Sequence, residues 1–251
     1  MIAAKHIMIP KEKTYWGLCL TAEQANSTVA MAADSGAPEV TLLYTTDRNG
    51  MNGWAPFRVG STTITLSNVG DRVWFRAGAD GNPAMAGVVQ DVYTRGNYFT
   101  MTGRIAASGS VMSLLNGDEE TFSFEASRAF FGLFRSCTSL TKAPDLPATT
   151  LENRCYAQMF EYCTSLTTAP HLPATTLVER CYSSMFYQCT SLNSISVAFG
   201  SFVEGTSGSW VNSVAAEGTF YCPTQLGTNV PGGITRGADA CPEGWTVVNT
   251  D

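Results

Sequence analysis

Residues 137–166 read CTSLTKAPDLPATTLENRCYAQMFEYCTSL and residues 163–192 read CTSLTTAPHLPATTLVERCYSSMFYQCTSL, so one motif recurs and each copy ends on the CTSL that begins the next. A shorter, degenerate copy, SRAFFGLFRSCTSL, precedes them at residues 127–140. The pattern fades after Cys189, where NSISVAF replaces the APxLPATTL segment. A unit of this size cannot bury its own apolar side chains, so neighbouring units must stack and bury them against each other. The repetition therefore predicts a short solenoid.

The period and the composition of the motif refine this prediction. A period of about 26 residues lies in the range of leucine-rich repeats and is too short for repeats of helical pairs. Within each unit, the segment RCYAQMFEYC has apolar residues at helical spacing, which predicts a short helix with one inward face. The prolines of the APxLP segment exclude helix and favour extended backbone. Each unit is thus expected to contain a short helix, a turn, an extended edge and a return loop.

Alignment by the repeat period places side chains of one type in columns, which we predict to form buried ladders through the stack. The columns are Cys137, Cys163 and Cys189; Cys155 and Cys181; Phe134, Phe160 and Phe186; and Leu140, Leu166 and Leu192. We interpret the cysteines of these columns as small buried hydrophobic residues; the alternative is a disulfide or a metal role for some of them. A metal site would require histidine or a CxxC pair, and neither accompanies these columns.

Two further cysteines, Cys222 and Cys241, lie outside the repeat period, and each precedes a proline. If the strands around them pair, a disulfide would close the loop between them and contribute about 3 kcal/mol to stability. Synthesis in a reducing cytoplasm disfavours that bond. The sequence leaves both states open.

One charged column, Arg128, Arg154 and Arg180, also follows the repeat period. Three like charges at one unit spacing repel each other unless each finds a carboxylate or a carbonyl partner. Glu152 and Glu179 are close in sequence. The column is either a polar structural ladder or a row that binds anions, and the sequence leaves both interpretations open.

The N-terminal third has a different pattern. The segments VTLLYTT (40–46), TTITLSN (62–68), DRVWFRA (71–77) and NYFTMTG (97–103) are short, rich in β-branched and aromatic residues, and separated by turn residues. This pattern is typical of an all-β sandwich. The predicted fold class is mainly β with short helices. Its parts are an N-terminal arm at 1–14, a β-sandwich at 15–103, a leucine-rich-repeat solenoid at 104–200 and a C-terminal cap at 201–251.

The arm carries an apolar cluster without an evident place in the sandwich: Ile2, Ile7, Met8, Ile9 and Pro10. It has two interpretations. It is an edge strand or a disordered tail, or it docks by strand addition into a partner or a neighbouring copy of the chain.

Composition excludes several classes of protein. The net charge of −6 and the absence of basic runs argue against nucleic-acid binding. No apolar stretch is long enough to span a bilayer, so no membrane insertion is predicted. The first residues lack the pattern of a signal peptide, which indicates that the protein stays in the cytoplasm where it is made, or that its signal has been removed.

The sequence offers no constellation for catalysis. Its two histidines, His6 and His171, lie in different predicted modules and cannot be assigned to a triad. The acidic loop GDEE (117–120) does not match the ligand spacing of a calcium loop. We therefore predict no enzymatic activity, no cofactor and no metal site.

The motif CTSLTTAPHLPATTL with RCYSSMFYQC resembles the BspA-like leucine-rich repeats of gut Bacteroidetes and of their phages. The resemblance covers roughly residues 101–251 and includes GTFYCPTQLG (218–227) and CPEGWTVV (241–248), which resemble the segment that closes such arrays. A weaker resemblance links the preceding residues to the β domain that often accompanies these repeats.

Members of that family are surface or virion proteins used for binding and adhesion. The resemblance implies a non-enzymatic structural or decoration protein of a phage virion, made without a signal peptide. Its expected partners are other virion proteins or copies of itself, for example in a homotrimer, and a host-surface glycan or protein. The alternative is an exported bacterial cell-surface adhesin whose signal has been removed.

Overall fold

The computed structural model describes residues 17–47, 52–78, 88–90, 93–116, 123–124, 126–228 and 234–251. These residues form a mainly β structure with several sheets and two short helices. The strands are β1 (Leu18–Ala22), β2 (Ser27–Ala33), β3 (Leu42–Thr45), β4 (Ala55–Phe57), β5 (Thr63–Leu66), β6 (Arg72–Ala77), β7 (Val88–Gln90), β8 (Tyr93–Arg95), β9 (Asn97–Thr102), β10 (Ile105–Ser108), β11 (Leu140–Lys142), β12 (Thr168–Leu172), β13 (Ser194–Val197), β14 (Thr219–Cys222) and β15 (Thr246–Asn249). The helices are α1 (Ser113–Asn116) and α2 (Thr224–Thr228). The apolar arm predicted at residues 1–14 lies outside the described residues.

Two sheets organise the N-terminal part of the chain. A six-stranded sheet has the order β11-β10-β1-β6-β3-β4, and a three-stranded sheet has the order β5-β2-β9. Strand β2 alternates buried and half-buried residues along most of its length, as expected for a strand with one face on a core. Apolar residues from both sheets share one buried cluster, and strands β7 and β8 pair separately.

The six-stranded sheet continues into the repeat region. Strand β10 pairs antiparallel with β1 and parallel with β11. Strand β11 begins at Leu140, in the first CTSL motif. A single sheet thus spans the predicted boundary at 103/104.

A second long-range feature is a four-stranded parallel sheet with the order β12-β13-β14-β15. Its strands begin at Thr168, Ser194, Thr219 and Thr246, and these four residues pair in register. The NSISVAF segment forms β13, and the predicted C-terminal cap supplies β14 and β15. The in-register parallel pairing therefore continues from β12 through β15, beyond the point at which the sequence motif fades.

The segment predicted as a short helix in each unit is a run of turns, so that prediction was wrong. From Arg154 to Tyr162, the N–H of every second residue donates to a carbonyl of the next unit at 2.8–3.1 Å, as Arg154 does to Glu179. The residue equivalent to Arg154 in the next unit is Arg180, and the acceptor is the residue just before it. The other donors of the run follow the same rule. The intervening N–H groups donate to carbonyls three positions back in their own run. An α-helix would satisfy these donors internally at i−4, whereas this segment uses half of them to bind the next unit.

The turn runs contain left-handed residues at every fourth position. In successive runs these are Arg128, Gly132 and Ser136; Arg154, Gln158 and Tyr162; Arg180, Ser184 and Gln188; and Gly205, Ser209 and Ser213. Their φ angles lie between 53° and 79°. Every second N–H of the third run also donates to a carbonyl of the next segment, within residues 205–213.

The core is one buried cluster that extends through both parts of the described chain. Its centre is a file of aromatic rings in which Phe99 stacks on Phe134 at 5.2 Å, Phe134 on Phe160 at 5.6 Å, and Phe160 on Phe186 at 5.7 Å. Trp210 follows Phe186 at 6.1 Å. A second file runs through Phe130, Tyr156 and Tyr182. Equivalent aromatic residues of adjacent units are therefore buried against each other.

Candidate functional site

The cysteine columns lie inside the stack and take part in its hydrogen bonding. The thiols of Cys137, Cys163 and Cys189 donate to the carbonyls of Phe99, Phe134 and Phe160, at 3.1, 3.0 and 3.0 Å respectively. Each of these acceptors lies on the neighbouring element of the phenylalanine file. The column therefore links adjacent layers through side chain as well as backbone. The second column, Cys155 and Cys181, is buried too.

Burial disfavours ionisation of these thiols. It raises the pKa of Cys181 to about 11 and that of Cys189 to about 12. It also raises the pKa of Cys137, Cys155 and Cys163. The thiolate is the nucleophile and the metal ligand, and its population at neutral pH is negligible at such values. The ladder cysteines serve packing, and we assign them no reaction.

Cys222 and Cys241 are both buried and carry free thiols in the structure. The two thiols lie close enough for Cys222 to contribute to the raised pKa of Cys241, and a disulfide between them stays a prediction. Cys222 lies opposite Asn249 in the β14–β15 pair. Cys241 instead forms an isolated bridge with Arg236, whose guanidinium reaches its sulfur at 3.8 Å.

The outer face of the parallel sheet presents two rows of side chains, which we call the strand face. The first row contains a hydroxyl on every strand and consists of Thr168, Ser194, Thr219 and Thr246. The second row consists of His171, Ser196, Tyr221 and Val248. Adjacent strands lie about 4.8 Å apart, so each row spans about 14 Å. Alternation with buried residues places both rows on the same side of the sheet.

The strand face is uncovered within the described part of the chain. All eight residues are exposed or half-buried, and Tyr221 and Val248 are large apolar side chains with 36% and 39% exposure. Parallel sheets are normally covered on both faces. A parallel sheet with one face on the core and one face free is therefore a surface suited to a partner.

The chemistry of this face favours binding of polar ligands. The imidazole Nδ1 of His171 lies 2.9 Å from the hydroxyl of Ser196. Hydroxyl groups donate and accept hydrogen bonds, and the Tyr221 ring adds a flat apolar surface with a polar tip. His171 lies with a serine and not with a carboxylate, so the row lacks the arrangement of a catalytic triad.

A cleft of about 780 Å³ lies on the N-terminal sheets, lined by residues that include Thr46, Asn68, Asp71, Arg72 and Trp74. The Asp71 carboxylate accepts hydrogen bonds from the backbone N–H of Asn68 at 2.8 Å and from its side-chain amide at 3.3 Å. It therefore stabilises its own turn. Among the described residues that line this cleft, Asp71 is the one carboxyl group, whereas glycoside hydrolysis generally uses a pair.

Four other sequence features remain to be considered. The acidic GDEE loop (117–120) and His6 lie outside the described residues. Over the described ranges, no three His, Cys, Asp or Glu side chains converge as a metal site would require. Within the same ranges, no helix has the length and apolar character needed to cross a bilayer.

The strand face was not among the site residues predicted from the sequence. Of its residues, the sequence draws attention only to His171, as one of two histidines that cannot be assigned to a triad. A signal was present in the alternation of NSIS, GTFY and WTVV, where small polar residues precede each buried one. The repeat period alone did not expose it, because these segments differ in sequence.

No family model, curated protein or solved structure matches the chain.

Proposed function

We propose that the chain is a non-enzymatic structural protein of a phage virion that decorates the head or tail surface and binds the host bacterium. In this proposal, residues 15–103 form a β-sandwich that docks on the particle. The following units form a short solenoid of BspA-like leucine-rich repeats that faces outward. The ligand is a glycan of the host surface, held on the strand face.

The observation that carries the proposal is the uncovered strand face. Its first row repeats a hydroxyl at every strand, and its second row combines His171, Ser196 and Tyr221. A glycan offers hydroxyl groups along its length and apolar sugar faces, so rows of hydroxyls beside an exposed ring complement it.

The test compares binding of the full chain and of Tyr221→Ala to a glycan array and to gut bacterial cells. We expect binding by the full chain and a loss of about tenfold or more in Tyr221→Ala, since exposed aromatic anchors dominate such contacts. Tyr162→Ala is the matched control, because Tyr162 is exposed to 44% on a turn run away from the strand face. Equal affinities for Tyr221→Ala and Tyr162→Ala would refute this placement of the site.

Self-association through the apolar arm at residues 1–14 is part of the same proposal. Light scattering of the full chain and of a chain lacking these residues measures it. An oligomer that becomes a monomer on truncation would support assembly through the arm. A monomer in both cases would favour the alternative of a cell-surface adhesin.

A further inference from the structure

The arginine column occupies an unusual place in the backbone. Arg128, Arg154 and Arg180 all have left-handed backbone, with φ angles of 62°, 56° and 54°. Their N–H groups donate to the carbonyls of Asn153, Glu179 and Gly205, respectively. The three arginines therefore follow one another at a single unit spacing, along the direction in which the units stack.

Backbone geometry does not explain why these residues are arginines. A left-handed conformation costs a non-glycine residue about 1 kcal/mol or more, and glycine adopts it freely. The other two left-handed columns vary from unit to unit, as Gly132, Gln158 and Ser184 show. Only the column of Arg128, Arg154 and Arg180 has the same charged residue in three successive units. In the following segment the left-handed residue at this position is Gly205.

Pairing with carboxylates does not explain the column either. Arg180 lies 3.8 Å from Glu179, with both side chains more than half exposed, and such a pair contributes little. Among the described residues, no carboxylate forms an ion pair with the guanidinium of Arg128 or Arg154. The Nε of Arg128 is buried and has no hydrogen-bond partner in that part of the chain.

The arginines are close enough to repel one another. Partial burial lowers the pKa of Arg154, and the charges of Arg180 and Arg128 lower it further, while Glu179 opposes them. Within the ranges that the structure describes, the row is therefore a linear array of positive charge that the neighbouring carboxylates neutralise only in part.

We propose that Arg128, Arg154 and Arg180 form a binding row for an acidic polysaccharide, with sulfate or carboxylate groups of the chain held by successive guanidinium groups. The row extends over two unit spacings, about 9.6 Å, so it suits an extended chain with separated charges. The planar guanidinium fork binds such anions through two parallel hydrogen bonds. This site is separate from the strand face and does not depend on it.

A sparsely charged chain fits the surroundings better than a nucleic acid. Glu152 and Glu179 lie beside the arginines in sequence, and the whole chain has a net charge of −6. A densely charged polyphosphate would be repelled both by these two glutamates and by the net negative charge of the chain. A polysaccharide with one anionic group per sugar or per disaccharide has fewer charges along the same length and is repelled less by these carboxylates.

The test uses isothermal titration of the full chain with a carrageenan that carries one sulfate per disaccharide, with polygalacturonate, and with single-stranded DNA. The first two distinguish sulfate from carboxylate, and the third tests the competing polyanion. We expect binding to at least one polysaccharide, a loss of about tenfold in Arg154→Gln, and a weaker dependence of affinity on salt. Arg58→Gln removes one exposed positive charge elsewhere and should change affinity less than twofold.

Two further variants keep the test decisive if Arg154→Gln fails to fold. Glu179→Gln removes the opposing carboxylate and should strengthen binding by a few fold. Arg154→Lys keeps the charge but loses the fork, and should bind less tightly than the unmodified chain. The inference is overturned if neither polysaccharide binds, if DNA binds more tightly than both, or if Arg58→Gln loses as much affinity as Arg154→Gln.

Discussion

At the residue scale, the left-handed residues of the turn runs show how the stack stabilises an unfavourable backbone. Gln158 has a φ of 56°, which non-glycine side chains rarely adopt. Its N–H donates to the carbonyl of Ser183 at 2.9 Å. Hydrogen bonds between units thus hold a conformation that an isolated unit would not adopt.

Substitutions at Gln158 should reveal this local strain. Gln158→Gly should change the free energy of unfolding by less than about 1 kcal/mol, because relief of strain offsets the gain in unfolded-chain entropy. Gln158→Val should destabilise by about 2 kcal/mol, because a β-branched residue is most restricted at positive φ. Urea denaturation followed by circular dichroism measures both values.

The control is the same pair of variants at Glu152, an exposed residue without positive φ. There the order should reverse, with glycine less stable than valine. The same order at both positions would contradict a role for backbone strain.

The buried thiols predict how stability depends on pH. Burial raises the pKa of Cys189 from 9.0 to about 12 in the folded chain, whereas the unfolded thiol ionises near its ordinary value. As pH rises, the thiol of the unfolded chain therefore loses its proton before that of the folded chain. The contribution of the protonated Cys189 thiol to the free energy of unfolding is complete below about pH 9 and is lost as the pH approaches 12. The melting temperature should fall between about pH 8 and pH 10.5.

Cys189→Ala separates this contribution from that of other groups, including the buried tyrosines, whose pKa values are also raised. The variant should be less stable at the lower pH and should lose less stability on going to the higher one. Parallel pH profiles for the two proteins would rule out the thiol as a cause.

At the element scale, the turn run explains why its sequence resembles a helix. The buried residues come in pairs four positions apart, at Cys155 and Tyr156 and again at Met159 and Phe160. In so short a segment a period of four is hard to distinguish from the period of about 3.6 of an α-helix. The left-handed residue at every fourth position sets this period, and only the neighbouring unit makes that conformation favourable.

The phenylalanine file should dominate the stability of this element. Phe160 lies fully buried between Phe134 and Phe186, with ring planes within 5° of parallel. Phe160→Ala should therefore destabilise the protein by about 3–5 kcal/mol. Phe131→Ala, at a half-buried position of the neighbouring run, should cost clearly less in the same urea experiment. Similar losses at both positions would contradict the importance of the file.

At the scale of the whole molecule, the N-terminal sheets and the repeats are joined by several independent contacts. Phe99 stacks on Phe134, and the carbonyl of Phe99 accepts the Cys137 thiol. Arg135 pairs with Asp34, with 24% and 17% of the side chains exposed, and lies 4.0 Å from the Tyr98 ring. The two regions therefore share one core and one sheet.

This sharing predicts that the repeats do not fold alone. A fragment of residues 104–251 retains β10 and β11 but lacks β1, on which β10 pairs, and lacks Phe99. It should show no cooperative thermal transition, while the full chain unfolds in one step. Circular dichroism at near- and far-ultraviolet wavelengths measures this. A fragment that melts cooperatively near the temperature of the full chain would show independent domains.

The repeat period and the identity of the buried columns can be derived from the amino-acid sequence alone. Copies of one unit bury matching side chains, so Phe134, Phe160 and Phe186 had to lie in one file once the units stacked. The mainly β character also followed from the short alternating segments of the N-terminal third.

The hydrogen bonding of each unit's backbone and the extent of the parallel sheet, by contrast, depend on contacts between distant parts of the chain. The turn runs replace the predicted helices because half of their N–H groups bind carbonyls of the next unit, and no local pattern encodes a partner so far along the chain. For the same reason the sheet continues through β14 and β15, whose sequences have lost the motif but keep the alternation. The strand face and the register of Cys222 opposite Asn249 follow from that pairing, which becomes favourable only when the preceding units are in place.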